Sequence, residues 1–375
     1  MSVIKIVEVA NKDLGKFIDF PHDLYKGDAN YVPEIYLAMK DHLNKKKNPY
    51  FKHSDATLFL AYKDGEIVGR IAATINNNYN DFHNCNIGFF GFLDFINDQE
   101  VLNALLATAE LYCISKGATK IMGPANFSTN DTATVLIEGF DSPPQIQMAY
   151  NYPYYPLLIE AAGYSKEMDF FAYFLKSDSV NDKSIELSER LYSRLKNRGI
   201  TVRNINIKNW KSEVEAIRTI YKSAWEKNWG FVPPTDEEFS FLAEGLKMIV
   251  DDRFAYIAEH DGKVVGFAVS LPNINEIMIK SNKGRLLPFT IFKLLFGKKK
   301  VKTVRVILLG VIEEYRKMGI EAIFFAKNIQ TARANQIFGG EASWILENNI
   351  MMNQAAQNLN GEPYKKYRIY SKDLT

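Results

Sequence analysis

The segments "YKDGEIVGRIA", Tyr62 to Ala72, and "EHDGKVVGFAV", Glu259 to Val269, share one pattern: an Asp-Gly pair between two apolar runs. Asp-Gly supplies the two left-handed positions of a two-residue turn, so each segment predicts an antiparallel hairpin. The elements around the hairpins recur in order as well. A strand leads each half, "IKIVEVAN" in the first and "ITVRNINI" in the second. After the first hairpin come "NIGFFGFLDFI", the helix "EVLNALLATAELYCISKG", and the strands "TKIMGPANF" and "DFFAYFL". After the second come "KTVRVILLGVI", the helix "EAIFFAKNIQTARA", "EASWILEN" and "YKKYRIYS"; two helices, "KSEVEAIRTIYKSAWEKNW" and "DEEFSFLAEGLKMIV", precede that hairpin. Such repetition marks a duplicated α/β (α+β) domain, each copy a mixed, largely antiparallel sheet flanked by helices. The polar stretch Lys176 to Glu186 lacks apolar periodicity and reads as a linker, which puts the halves at residues 1–178 and 183–375.

A chain of 375 residues, 47% of them hydrophobic, can fill two cores. Its formal charge of +2 predicts no nucleic-acid partner. Cys85 and Cys113 are too few for a disulfide framework and are not spaced with the five histidines as metal ligands, so an intracellular, cytoplasmic, metal-free protein is expected. No apolar run reaches the roughly 20 residues of a membrane helix. Motifs for phosphoryl transfer, dinucleotide redox chemistry and serine or zinc hydrolysis are absent from the sequence.

One turn stands out. "GVIEEYRKMGI", Gly310 to Ile320, ends an apolar strand and starts a helix directly, leaving the first helical N–H groups free to meet an anion. Its counterpart in the first half, "GFLDFINDQEVLNALL", has no Arg-x-x-Gly. There Asn97-Asp98-Gln99-Glu100 reads as a capping box that satisfies the helix amides internally. The region Gly123 to Tyr164 reads as a long polar, aromatic loop, with Pro143, Pro144 and Pro153 opposing helix. Within it Asn126, Asn130, Tyr150, Asn151, Tyr154 and Tyr155 are candidate acceptor-binding residues, offering stacking faces and hydrogen-bonding groups. The segment Lys280 to Arg305 is basic, free of acids and interleaved with "LLPFTIFKLLF". It reads as a solvated amphipathic insertion or as a functional one, and among the functional readings its position before the turn favours a flap over the cofactor, ahead of peripheral membrane contact or a nucleic-acid face.

This combination resembles the GNAT superfamily of acyl-CoA-dependent N-acyltransferases. Arg316 and Gly319 match two of the three places in its Arg/Gln-x-x-Gly-x-Gly/Ala turn, while Glu321 and Lys317 depart from it. "NKGRLLPFTIFKLLFGKKK" followed by "VRVILLGV" resembles bacterial tandem two-domain members. The resemblance implies acetyl-CoA or another acyl-CoA as donor, held by Val311, Ile312, Arg316, Lys317, Met318, Gly319, Ile320 and Asn349. It implies a first domain without the cofactor, and transfer of an acyl group, acetyl being the expected one, to a small-molecule or peptide amine. Glu347 is the candidate base. The place where many members carry an acid tyrosine falls near Ala356, so Tyr364 or Tyr367 is the candidate acid. Two alternatives stand beside this: an aminoacyl-tRNA-dependent, peptidyl-type transferase, and a non-catalytic ligand-binding or scaffold protein.

Overall fold

In the computed structural model, which describes residues 3–374, both Asp-Gly pairs turn as predicted. Asp64 and Gly65 have φ of 53° and 87°, and Asp261 and Gly262 have 49° and 80°, the left-handed values that reverse the chain within two residues. In chain order the strands are β1 (Ile4–Glu8), β2 (Asp55–Lys63), β3 (Glu66–Ile75), β4 (Ile87–Phe95), β5 (Lys120–Gly123), β6 (Val135–Glu138), β7 (Ser165–Lys176), β8 (Ile200–Asn204), β9 (Ala255–His260), β10 (Lys263–Pro272), β11 (Thr303–Val311), β12 (Gly339–Leu346) and β13 (Glu362–Asp373). The helices are α1 (Leu14–Leu24), α2 (Tyr36–His42), α3 (Asn77–His83), α4 (Gln99–Ser115), α5 (Tyr154–Ala161), α6 (Asp182–Lys196), α7 (Trp210–Trp225), α8 (Asp236–Lys247), α9 (Asn275–Met278), α10 (Thr290–Gly297), α11 (Ile320–Ala334) and α12 (Ile350–Asn358).

All of these strands join one mostly antiparallel sheet, ordered β1-β2-β3-β4-β5-β13-β7-β12-β11-β10-β9-β8, with β6 paired to β13 outside that path. The order is symmetric about its middle, and the final strands have changed places. β7 pairs with β12, and β13 pairs with β5. β7 and β13 also pair with each other, from Glu362↔Phe174 to Ser371↔Ser165. Each half's sheet is therefore completed by the other half's last strand, and separating them would break ladder hydrogen bonds.

Helices cover the sheet where their apolar stripes demand it. α4 buries Val101, Leu102, Leu105 and Leu106 against Ile71, Phe90 and Phe95. α7 packs Ile217 and Ile220 toward Phe267 and Val269, and α11 buries Ile320, Ile323 and Phe324 beside Val265 and Val311. Two helices depart from the sequence expectation. α5 begins directly after Pro153, since a proline preceding the first turn removes no intrahelical bond; with β6, it gives residues 123–164 more regular structure than a loop. α6 buries only Ile185, Ser188 and Leu195, too thin an apolar stripe to read from sequence, and Asn181 caps it by accepting from Lys183 N at 2.9 Å. No helix among the described residues is long and apolar enough to cross a membrane.

Candidate active-site cavity

Each half contains one parallel strand pair, and parallel pairs part where their ladder ends. In the first half, β4 and β5 pair only across Ile87–Phe89 and Lys120–Met122. Beyond that point the gap is stitched shut. Ala125 N donates to Phe90 O at 2.8 Å, Phe92 N donates to Asn126 Oδ1 at 2.6 Å, and a Cβ on Gly91 would stand 1.9 Å from Ala125 O. In the second half, β11 and β12 pair across Thr303–Val306 and Gly339–Ala342 and then part without such a stitch. Ile307, Leu308, Ser343 and Trp344 instead face a cavity of about 770 Å³.

Aromatic and aliphatic side chains dominate the cavity wall: Trp210, Ile217, Tyr221 and Trp225 from α7, Phe239 and Leu246 from α8, and Val269 from β10. The first half closes it with Met39, Phe92 and four ionisable groups, Glu34, Asp41, His42 and Asp131. Glu34 opens onto the cavity space, yet protein surrounds it, and that enclosure pushes its carboxyl above the usual range with no hydrogen bond to oppose it. Burial likewise raises the Asp131 carboxyl, against the lowering influence of His42 and a bond from Ser128 Oγ at 3.1 Å. His42 Nε2 lies 2.9 Å from Asn126 O, so that nitrogen carries the proton and donates it.

At the parting of β11 and β12 sits a buried polar cluster. Arg305 donates through Nε to Ser343 Oγ at 2.9 Å and through a terminal nitrogen to Ile146 O at 2.8 Å, and burial lowers its pKa. Fully buried Glu341 accepts from Ser343 Oγ at 2.5 Å and from the Tyr364 hydroxyl. Tyr367 Oη and Trp344 Nε1 are buried without a hydrogen-bond partner. Of the two candidate acids, Tyr364 is thus held by Glu341 and Tyr367 is enclosed; burial raises both phenols far above their ordinary value.

Glu347 lies elsewhere. It pairs with Lys166 at 2.6 Å, accepts from Asp169 N at 3.2 Å and does not line the cavity. In the turn, Lys317 and Gly319 have φ of 68° and 85°, and Gly319 leads into α11 at Ile320 with no side-chain cap. A Cβ on Gly319 would come 2.3 Å from the Leu191 Cδ2, a side-chain tip that can move aside, so the left-handed φ is what favours glycine there. Arg316 turns back, donating to Val311 O at 3.1 Å and to Ser223 O and Ala224 O at 3.0 and 3.2 Å at the end of α7. The Glu321 carboxyl, raised by burial, bonds its own backbone N–H. Val311 ends β11 beside Ile312, Met318 packs against the α11 core, and Asn349 caps α12 by accepting from Met352 N at 3.2 Å. In the first half, Asp98 does accept from Glu100 N and Val101 N, at 2.9 and 3.3 Å.

The loop candidates divide. Asn126 and Asn130 line the large cavity, but Asn126 serves the stitch and Asn130 Nδ2 donates to Val232 O at 3.0 Å. Tyr150, Asn151 and Tyr155 line a smaller cavity of about 150 Å³ around the buried Arg70–Asp94 pair, and that cavity shares Glu34 and Asn126 with the larger one. Their polar atoms are engaged by Asp28, by the Leu136 backbone and by Tyr25. Tyr154 bonds Phe95 O and lies outside both cavities. The basic segment does not bind the turn: Lys283 pairs with Asp23 at 2.7 Å and Arg285 with Asp19 at 2.6 Å, both on α1. Sequence reasoning passed over Glu34 and the Arg305–Glu341 cluster. Only the cluster left a signal, a charge inside each of two apolar strands. No group of three or more His, Cys, Asp and Glu side chains suited to a metal ion occurs among the described residues.

No family model matches the chain. It is 38% identical over 369 residues to protein YghO of Escherichia coli (strain K12), covering 96% of this chain and 93% of that protein. It is 35% identical over 381 residues to the bacterial ceramide synthase of Caulobacter vibrioides, covering 100% of this chain and 98% of that one. Among solved structures, a tandem GNAT protein from the clavulanic acid biosynthesis pathway superposes with a TM-score of 0.60 at 13% identity, over 100% of this chain and 99% of the other. A GCN5-related N-acetyltransferase from Sphaerobacter thermophilus gives 0.55 at 11% identity, over 99% and 96%.

Proposed function

This chain belongs to the tandem GNAT superfamily, and on that footing we propose that it transfers a fatty acyl group from coenzyme A to the nitrogen of a long-chain amine. The observation that carries the proposal is the open parting of β11 and β12, which leads into an apolar cavity walled on one side by two high-pKa carboxyls. A ceramide is a long-chain amino alcohol bearing an N-linked fatty acyl chain. The activity named for the Caulobacter relative therefore calls for apolar room and a base, and this cavity offers both. The acyl chain thus replaces acetyl as the expected cargo.

In the transfer, the amine nitrogen attacks the thioester carbonyl carbon, the C–N bond forms as the C–S bond breaks, and the sulfur leaves as a thiolate that takes up a proton. The proton lost by the amine passes to Glu34, whose unbonded carboxyl and raised pKa bring it toward the working pH of a general base; Asp131 is the other cavity carboxyl raised by burial. Trp344 Nε1, a donor without a partner at the strand parting, is assigned to the thioester oxygen. Coenzyme A is assigned to the turn 316–320, where the left-handed Lys317 and Gly319 redirect successive amides ahead of an uncapped helix. For that, the Glu321 carboxyl has to leave the α11 amides. Its present place at the helix start is what favours a second reading, a lipid carrier without catalysis.

The test is to incubate the protein with palmitoyl-CoA and sphinganine, following thiol release with a disulfide reagent and the amide by mass spectrometry, with acetyl-CoA and small amines alongside. Amide and thiol are expected in equal amounts, and Glu34→Gln is expected to slow turnover about a hundredfold or more. Tight lipid binding with no amide from any long-chain pair would make the protein a carrier and overturn the proposal.

A further inference from the structure

Between Leu286 and Val301 the chain turns an apolar surface outward. Leu287 is 77% exposed, Phe289 72% and Phe296 74%, and Phe292 and Leu295 of α10 stand out beside them. Only Leu294 of α10 is buried. Lys280, Lys293, Lys299, Lys300 and Lys302 flank this face, and none of them forms an ion pair among the described residues; Lys283 and Arg285 are already spent on Asp23 and Asp19. Five large apolar side chains exposed together ordinarily mark an interaction site. A lysine collar with no acid in its own stretch of chain narrows its partner to something apolar behind an anionic face.

We infer that α10 and its flanks form a docking surface for an anionic lipid bilayer, the phenylalanines entering the headgroup boundary and the lysines meeting lipid phosphates. The surface adjoins the cavity wall. Ile277 of α9 lies against Gly297, Asn275 and Met278 of α9 line the cavity, and Lys298 Nζ donates at 3.0 Å to Met248 O at the end of α8, whose Leu246 also lines it. Met248 itself is 58% exposed on the same side. A bilayer on α10 would therefore lie next to the elements that enclose the apolar space. The docking stands on this surface alone and not on acyl transfer, so a vesicle measurement fails independently of any assay of catalysis.

The full-length protein is sedimented with phosphatidylcholine vesicles prepared with and without phosphatidylglycerol. Binding is expected to require the anionic lipid and to weaken with salt. Replacing Lys293, Lys299 and Lys300 together by Gln is expected to weaken it roughly a hundredfold, about fivefold for each lysine. The pair Phe292→Ser and Phe296→Ser is expected to abolish stable binding, with unchanged melting temperature showing that both sets of variants remain folded. Absence of binding to anionic vesicles, or binding that ignores both sets of substitutions, overturns the inference. So does a dimer in light scattering that the phenylalanine pair abolishes, since the face would then belong to a second copy of the chain.

Discussion

Lengthening the acyl chain of the donor is the perturbation that most directly reads the cavity. A space of about 770 Å³ lined by Trp210, Trp225, Ile217 and Val269 far exceeds an acetyl group. Each methylene moved from water into it contributes about 0.8 kcal/mol, or about a fourfold gain in affinity. Six methylenes separate acetyl from octanoyl and give an upper bound of about 5 kcal/mol, some three thousandfold. Ordering the chain takes back part of this, so twofold to fourfold per methylene is the expected slope. Isothermal titration with thioether analogues of acetyl-, butanoyl-, hexanoyl- and octanoyl-CoA measures it without turnover. Leu308→Trp, which fills the space just beyond the strand parting, is expected to leave the short analogues unchanged and flatten the slope for the long ones. An affinity that is constant from acetyl to octanoyl, or a Leu308→Trp effect equal at all lengths, would refute the assignment of this cavity to the acyl chain.

Other consequences concern charge. Glu34 and Asp131 have folded pKa values raised above their unfolded ones, so the stability each contributes is full below the unfolded carboxylate pKa and is lost as pH rises through the raised value. Glu34→Gln and Asp131→Asn should therefore melt higher than the parent at neutral pH, with the difference vanishing in acid. His22 runs the opposite way. Burial, aided by Arg70, lowers it to about 4, so the stability it contributes is present above its ordinary 6.5 and lost as pH falls through that window. The loss is about 2 kcal/mol once partial exposure is allowed for, and urea titrations of His22→Gln should lack it. Arg305→Met strands fully buried Glu341 and should cost about 3–5 kcal/mol in urea unfolding, most of it recovered when Glu341→Gln is added.

How much of this was legible in sequence depended on whether a feature is local. The hairpins were legible because Asp64-Gly65 and Asp261-Gly262 specify their own backbone angles, and α4, α7 and α11 because their apolar spacing repeats within a few turns. The exchange of β7 and β13 was not, since a strand's period-two pattern says which face is buried and nothing about which strand lies beside it. The site followed the same rule. The turn at Arg316 could be found from its residues, whereas the Arg316 side chain's return to the end of α7 depends on a helix more than ninety positions earlier in the chain. Glu34 and Asp131 lie in loops without a motif, and what makes them distinctive is their place in the wall of a cavity that only the folded chain assembles.

The two halves are built unequally at their strand partings, and one loop carries the difference. Residues 124–134 stitch the first-half parting through Asn126, then run on to place Thr129, Asn130 and Asp131 in the wall of the second-half cavity. There Thr129 Oγ1 donates to Gly230 O, and Asn130 Nδ2 to Val232 O, so the loop is fastened at both ends. Asn126→Ala removes the acceptor for Phe92 N and should cost about 1–3 kcal/mol. Asn151→Ala offers a matched control: it strips the Leu136 backbone of bonds at 2.7 and 3.0 Å and should cost a similar amount, but Asn151 does not line the large cavity. If closing one parting is what furnishes the other, octanoyl-CoA analogue affinity should fall in Asn126→Ala beyond the loss in Asn151→Ala, both measured well below their melting temperatures. Equal affinities in the two variants would mean that the stitch is ordinary loop packing and that Asp131 is positioned by its contacts with the second half alone.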